Sequence, residues 1–214
     1  MSKRPEDIIV CERQEALFCG RHALRALAQR LDIFDDGYLM EVAQNLVAEE
    51  NILRHEQTVR TNDYYYEDRG EYDIQILKAA LMNTFNIDLL QIHTLEPNVS
   101  SAQNIILSNM ENVQALLIQQ DYHYYCLRRF RLTPSYFFKI DSQHPEYHQR
   151  IHTVNITDYL KRLIEHKHNV YVVVQHCSDG SEQELSQDNV QTRLWAFPDA
   201  AADGERLLVY DETK

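Results

Sequence analysis

The spacing of apolar residues changes once along the 214-residue chain, and this change limits the folds open to it. In the first part, apolar residues recur every three or four positions and predict helices over residues 18–31 and 36–50, and a third helix that begins after Asp73. The later part consists of short runs rich in β-branched and aromatic residues, which are typical of strands. Helices followed by strands predict an α+β fold, in which N-terminal helices pack against an antiparallel sheet.

The remaining elements follow from local patterns. One further helix is predicted before the last strand, and Asp73 and Thr157 stand where a side chain would cap the third and last helices. Residues 54–70 show no apolar period, which predicts a loop or a mobile arm. The predicted strands cover residues 89–93, 115–118, 122–129, 136–140 and 170–175, and the last helix covers residues 157–167.

Composition changes again near residue 178, where the chain becomes polar and acidic. Trp195 and Phe197 are nevertheless large apolar residues, and such residues are usually buried, which indicates that this extension packs against the domain. We therefore expect a catalytic domain over residues 1–178 and a C-terminal extension over residues 179–214 that docks on it.

Charge and length exclude several classes of protein. The formal net charge of −12 opposes nucleic-acid binding, which depends on Lys and Arg, and favours a partner with a basic surface. Neither a signal peptide nor some 18 consecutive apolar residues occurs, so we expect no membrane contact. The four Cys residues form no CxxC pair and predict reduced thiols. We expect a monomer in the cytoplasm, either of its own cell or of a host.

Two residues near the N-terminus have the chemistry of acyl transfer. Cys19 falls in the first turn of the first predicted helix, where the helix dipole favours a nucleophilic thiolate. Gln14 offers a side-chain amide that, together with the Cys19 backbone N–H, would donate to the oxyanion of an acyl intermediate. The alternative is that Cys19 is a small buried residue and Gln14 a surface residue. The spacing alone leaves both interpretations open.

A base for this thiol is predicted from a hairpin later in the chain. In an antiparallel pair of strands, the residue numbers of two facing residues always add up to the same value. A turn centred near Leu132 therefore places His123 directly opposite Asp141. Their Cβ atoms would then lie about 4.5–5.5 Å apart. This predicts a Cys19–His123–Asp141 triad, in which Asp141 fixes the imidazole tautomer and His123 exchanges the proton. A slip of one residue would leave only a surface pair.

His22 is a rival base, because it lies three residues after Cys19 on the same predicted helix. Side chains three apart lie side by side, and no nearby residue in the sequence is expected to supply an orienting carboxylate. We therefore predict a role in packing or capping for His22.

A metal site is a further alternative, because histidines recur every four residues at His144, His148 and His152. Such spacing would align them on one helix. Pro145 interrupts that helix, and no Cys or acidic residue stands at a familiar ligand spacing. We therefore predict a polar loop here, with no metal and no cofactor.

Four segments, taken in order, resemble the Josephin family of cysteine deubiquitinases. They are Gln14-x4-Cys19-x2-His22, Gly70-Glu-Tyr72-Asp-Ile74-Gln75, His123 followed by an aromatic residue, and Phe138-Lys-Ile-Asp141-Ser142. The resemblance implies a papain-like fold and cleavage of isopeptide or ester bonds at the C-terminus of ubiquitin or polyubiquitin. Residues 54–69 are poorly matched where relatives carry a helical arm, so the preference for chain linkage stays open.

The resemblance also implies roles for individual residues. Gln14 matches the oxyanion residue, Cys19 the nucleophile, His123 the base and Asp141 the orienting acid, whereas His22 matches a position that is not the base. Ile74 and Gln75 match positions that contribute to a ubiquitin-binding surface in relatives. Two other functions remain open: a papain-like deamidase or transglutaminase with the same triad, and a non-catalytic ubiquitin-binding module.

Overall fold

The computed structural model of the chain describes residues 9–54, 59–66, 71–93, 101–131, 133–176, 193–194 and 197. The helices in these ranges are α1 (Cys19–Ala28), α2 (Asp36–Arg54), α3 (Ile74–Phe85), α4 (Ser101–Ser108) and α5 (Ile156–Glu165). The strands are β1 (Tyr65–Tyr66), β2 (Glu71–Tyr72), β3 (Ile87–Ile92), β4 (Ala115–Gln120), β5 (His123–Phe130), β6 (Thr133–Ile140), β7 (Arg150–His152) and β8 (Asn169–Gln175).

Six of the described strands form one antiparallel sheet in the order β3-β8-β4-β5-β6-β7. Helices cover both faces of this sheet, and strand β4 shows the reason. Its first four residues are all apolar and all buried, and their side chains point alternately to the two faces. Leu117 belongs to the core beneath α1, α2 and α3, whereas Leu116 and Ile118 belong to the core beneath α4 and α5. The predicted α+β fold is confirmed, with helices on both faces of the sheet.

Helix α1 lies unusually close to its neighbours at Gly20. A Cβ atom at this position would come within 3.2 Å of the Leu77 Cδ2 atom and 3.3 Å of the Tyr72 Cδ2 atom. A side chain at this position would therefore require Leu77 and Tyr72 to move by a few tenths of an ångström, and glycine lets α1 pack against α3 and β2 without that movement. This packing fixes the helix whose first residue is Cys19.

One predicted helix cap is confirmed and one is wrong. The Asp73 carboxylate accepts a hydrogen bond from the Gln75 backbone N–H at 2.8 Å and caps α3. Thr157, in contrast, lies inside α5, which begins at Ile156 with Asn155 in the N-cap position. A short 3₁₀ turn over Thr153–Asn155 runs directly into this helix, so the helix starts before Thr157.

The predicted loop over residues 54–70 contains regular structure in its described part. Strand β1 pairs with β2, with Tyr65 opposite Tyr72, and the two rings stack at a centroid distance of 4.9 Å. A 3₁₀ turn over Thr61–Asp63 precedes this pair. The prediction of an unstructured stretch is therefore wrong for these residues, because paired tyrosines bury apolar area without any helical period. Residues 55–58 and 67–70 lie outside the described residues.

The hairpin of β5 and β6 has a register that differs from the prediction. Cys126 faces Ile140, so the next pair along the ladder would be Tyr125 with Asp141. An irregularity between Arg129 and Phe130 shifts the ladder relative to the pair nearest the turn, and the resulting register lies two residues from the predicted one. Direct opposition of His123 and Asp141 is therefore wrong. Because the observed register differs from the predicted one by an even number of residues, both residues still lie on the same face of the sheet.

Two residues near the C-terminus pack into the domain. Leu194 is fully buried in the core beneath α4 and α5, and Phe197 is buried in the other core. The Phe197 backbone N–H donates to the Gln114 side-chain oxygen at 3.0 Å. Apart from Arg193, the rest of the predicted extension lies outside the described residues, and the boundary at residue 178 stays a prediction. None of the described helices is long and apolar enough to cross a membrane.

Candidate active site

Cys19 is the first residue of α1 and stands at the end of the helix that carries partial positive charge. Its thiol lies 3.7 Å from the Tyr122 carbonyl oxygen. Burial raises the pKa of Cys11 to about 12 and also raises the pKa of Cys126, which keeps both of these thiols protonated. Of these three thiols, Cys19 has the surroundings that suit a nucleophile.

His123 reaches Cys19 because of a tight turn. It is the first residue of β5 and pairs with Gln120 across a turn formed by Asp121 and Tyr122. Asp121 has a φ angle of 55°, in the left-handed region that Asp tolerates better than most residues. The turn directs the Tyr122 carbonyl to the thiol and places the imidazole beside it.

Asp141 follows β6 directly and is almost completely buried. Its Oδ1 atom lies 2.7 Å from His123 Nε2 and also accepts from the Gln143 backbone N–H at 3.0 Å. Its Oδ2 atom lies 3.3 Å from the Lys139 ammonium group. The carboxylate therefore has hydrogen-bond donors on both oxygens, which fixes its orientation toward the imidazole.

The charges of His123 and Asp141 stabilise each other. Burial lowers the pKa of His123, but the hydrogen bond to Asp141 and the interactions with Cys19 outweigh it and raise the pKa to about 9. Burial raises the pKa of Asp141, but the hydrogen bonds from His123 and from the Gln143 backbone outweigh it and lower the pKa to about 2. At neutral pH the site therefore favours an ionised carboxylate beside an imidazolium.

Gln14 is held from the far side of the site by Ser142. The Gln14 backbone N–H donates to the Ser142 carbonyl at 2.8 Å, and the Ser142 hydroxyl donates to Gln14 Oε1 at 3.2 Å. One N–H of the Gln14 amide donates to the Ala16 carbonyl at 2.8 Å. A primary amide has two N–H groups, and the second has no partner among the residues that the structure describes.

Two cavities meet at Cys19 and Tyr122. The larger, of about 510 Å³, is also lined by Gln14, His123 and Asp141, so all four predicted catalytic residues border one space. The smaller, of about 160 Å³, lies on the side of β2. Its acidic lining residues are Asp63, Glu71 and Asp73. Open space on both sides of the thiol suits a substrate that crosses it in an extended form.

His22 is buried and faces away from this space. Its Nδ1 atom lies 2.7 Å from the Glu12 carboxylate, and its Nε2 atom accepts from the Glu15 backbone N–H at 3.2 Å. The expectation that no carboxylate would orient His22 is therefore wrong. The chain before α1 folds back and brings Glu12 to this histidine, whereas sequence distance gave no sign of the contact. His22 holds the segment that carries Gln14, which agrees with the predicted packing role.

Of the other predicted residues, His144 lines the larger cavity, whereas Ile74, Gln75, His148 and His152 line neither cavity. Gln75 is exposed, and Ile74 packs partly against the core at the start of α3. His148 lies in a stretch of turns and irregular structure, so the predicted loop is confirmed, although His148 itself is buried rather than solvated. Among the described residues, no group of three His, Cys, Asp or Glu side chains is arranged to hold a metal ion.

Four contributors to the site were missed in the sequence. Ser142 lies in the Phe138-Lys-Ile-Asp-Ser motif, so its place beside Asp141 was a usable signal. Lys139 and Gln143 contact Asp141 from positions two residues away on either side, which becomes meaningful only when the strand end is known. Tyr122 is 91% exposed, and no spacing in the sequence distinguishes it from the other tyrosines.

An α+β fold with a thiol at a helix N-terminus, and with a His–Asp pair supplied by the sheet, defines the papain-like class. The Josephin family model matches residues 14–174, which is most of the chain. The chain belongs to the Josephin family, a family of deubiquitinase-type cysteine proteases. No curated protein sequence matches the chain at a significant level.

Proposed function

We propose that this protein is a cysteine-dependent deubiquitinase that hydrolyses isopeptide or ester bonds at the C-terminus of ubiquitin. The observation that carries the proposal is the meeting of Gln14, Cys19, His123 and Asp141 around one cavity, in a chain that belongs to the Josephin family. Ubiquitin or a ubiquitin chain is the partner that this family membership suggests.

The proposed reaction begins at the thiolate of Cys19. Its sulfur attacks the carbonyl carbon of the last ubiquitin residue, and the negative charge moves to the carbonyl oxygen. The second N–H of Gln14 and the Cys19 backbone N–H donate to this oxyanion. The intermediate collapses when the leaving amine or alcohol takes the Nδ1 proton of His123.

The second half of the reaction removes the acyl group. Neutral His123 takes a proton from a water molecule, whose oxygen attacks the thioester carbonyl. Collapse of this intermediate expels the Cys19 thiolate, which again lies beside the imidazolium, and releases the C-terminal carboxylic acid of ubiquitin, which loses its proton to water. Asp141 keeps the Nε2 proton on the imidazole in both halves, because its Oδ1 atom accepts that hydrogen bond.

The test is reaction with ubiquitin that carries a C-terminal alkyne electrophile. We expect the wild type to form a covalent adduct and Cys19→Ala to form none. Cys11→Ala is the matched control, because it removes another described thiol, and it should react as the wild type does. Absence of an adduct in the wild type at high protein concentration would contradict the proposal, and binding of ubiquitin without reaction would indicate a non-catalytic module.

The same probe distinguishes the two histidines. We expect His123→Ala to lose reaction, whereas His22→Ala should react in proportion to its folded fraction. Loss of reaction in a folded His22→Ala protein, with reaction retained in His123→Ala, would overturn the assignment. Mass spectrometry of ubiquitin after incubation would detect a deamidated or cross-linked product, which would indicate the other papain-like chemistries.

A further inference from the structure

We propose that Gln143 is a positioning residue whose side-chain amide donates to Nδ1 of His123 whenever the imidazole is neutral, and so makes this imidazole take up a proton less readily. The inference rests on the proposed function, because it concerns the base of the same site. Gln143 follows the Asp141-Ser142 pair, and its side chain is exposed at the larger cavity.

Gln143 contacts both members of the His–Asp pair. Its backbone N–H donates to Asp141 Oδ1 at 3.0 Å, and its side-chain nitrogen lies 3.3 Å from His123 Nδ1. An ionised carboxylate only accepts hydrogen bonds, so His123 Nε2 carries the proton that points to Asp141. In the neutral ring Nδ1 is then the acceptor, and the Gln143 amide N–H is its donor.

The same lone pair on Nδ1 is the one that must take the proton of Cys19. The amide and the thiol therefore compete for one acceptor. When the imidazole becomes protonated, Nδ1 carries a hydrogen atom and the amide N–H faces another donor, so this contact is lost. The contact exists only with the neutral imidazole, and Gln143 therefore favours that form.

Other charged groups around His123 act with or against this effect. Asp141 and the Cys19 thiolate favour the imidazolium and account for the raised pKa of His123, about 9. The Lys139 ammonium group, 3.3 Å from Asp141 Oδ2, offsets part of the carboxylate charge. The remaining titratable groups that line the same cavity are Asp121, Tyr122 and His144. Gln143 differs from these because it acts on the ring nitrogen itself, through a neutral group.

The chain offers a matched control for this contact. Gln120 is also a glutamine at the larger cavity, and it lies at the end of β4, opposite His123 in the ladder. No side-chain hydrogen bond joins Gln120 to His123 in the described part of the chain. Gln120→Ala thus removes the same side chain from the same cavity without removing a contact to Nδ1.

The experiment is a titration of the His123 imidazole by NMR in the full chain, with the signal assigned by its loss in His123→Ala. Removal of one neutral hydrogen bond should raise the pKa of His123 by about half a unit to one unit in Gln143→Ala. Gln120→Ala should match the wild type. The alkaline limb of turnover on ubiquitin 7-amido-4-methylcoumarin should move upward by the same amount in Gln143→Ala.

An unchanged pKa in a folded Gln143→Ala protein would overturn the inference. A lowered pKa would also overturn it, because it would mean that the amide oxygen accepts from the imidazolium. Failure of the proposed function has a different signature: the wild type would not react with the ubiquitin electrophile, and its His123 would titrate near the ordinary value of 6.5.

Discussion

Replacement of Asp141 by Asn separates the charge of this residue from its role in orientation. Two donors, His123 Nε2 and the Gln143 backbone N–H, converge on the Oδ1 atom. In Asp141→Asn these donors require the amide oxygen at that position, and the amide nitrogen then faces Lys139, whose side chain is partly exposed and has room to move. The imidazole should therefore keep its tautomer while its partner loses the negative charge.

The size of the effect follows from the hydrogen bond that remains. A charge-assisted hydrogen bond contributes about 1.5–3 kcal/mol and a neutral one about 0.5–1.5 kcal/mol, so the preference for imidazolium falls by about 1–1.5 kcal/mol. Since 1.36 kcal/mol equals one pKa unit, the pKa of His123 should fall from about 9 to about 8. The alkaline limb of turnover should move with it, and kcat near pH 7 should fall by less than about tenfold.

The assay is steady-state hydrolysis of ubiquitin 7-amido-4-methylcoumarin between pH 6 and 10.5, roughly one and a half units or more on either side of the expected midpoints. Asp141→Ala should lose orientation as well as charge, with kcat lower by about 10²-fold or more. Asp121→Asn is the control, because it removes a carboxylate from the same cavity and Asn tolerates the positive φ angle there. An alkaline limb that stays near pH 9 in Asp141→Asn would refute the reasoning, as would equal loss in the Asn and Ala variants.

Three further perturbations test other parts of the structure. Gln14→Ala should lower kcat by about 10²-fold with little change in KM. Ser142→Ala removes only the hydrogen bond to Gln14 Oε1 and should lower kcat by about 2- to 10-fold. Equal effects of the two substitutions would contradict this ranking. Burial lowers the pKa of His148 below 6.5, so the unfolded chain binds a proton that the folded chain does not, and stability falls as pH drops below that value. His148→Phe should therefore lose less stability than the wild type between pH 7.5 and about 5 in urea titrations, and identical losses would refute the argument. Glu71→Lys should raise KM for ubiquitin by up to about fivefold if the acidic cavity contacts a basic partner, and an unchanged KM would exclude that contact.

Sequence reasoning succeeded where the signal was local and periodic. Leu24 and Leu27 repeat at helical spacing and are fully buried in α1, and Asp73 caps α3 as its position indicates. Helix α4 was missed because it spans only Ser101–Ser108, which is too short for a clear apolar period. The β1–β2 pair was missed because two-residue strands carry no alternation, and the stacking of Tyr65 on Tyr72 leaves no periodic signal in the sequence.

Contacts between distant segments could not be predicted from the sequence for a different reason. Glu12 meets His22 because the chain bends before α1, and Ser142 meets Gln14 across 128 positions. Such pairs depend on packing between elements, which no local pattern encodes. Gln143 shows the same limit, because its proximity to His123 exists only in the folded hairpin.

The sequence by itself determined the order of the longer helices and strands, the thiol at a helix start and the residue types that a cysteine protease needs. The separation of 18 residues between His123 and Asp141 allows them to share one face of the sheet, but the even register shift that places them there was decided by the structure. Only the tertiary structure decided which Asp141 oxygen the imidazole meets, that Lys139 and Gln143 share that carboxylate, and that one N–H of the Gln14 amide has no partner among the described residues. The physical reason is that the alternation of side chains along a strand determines which face of the sheet each one points to, whereas the distance between two side chains depends on how strands and helices pack together.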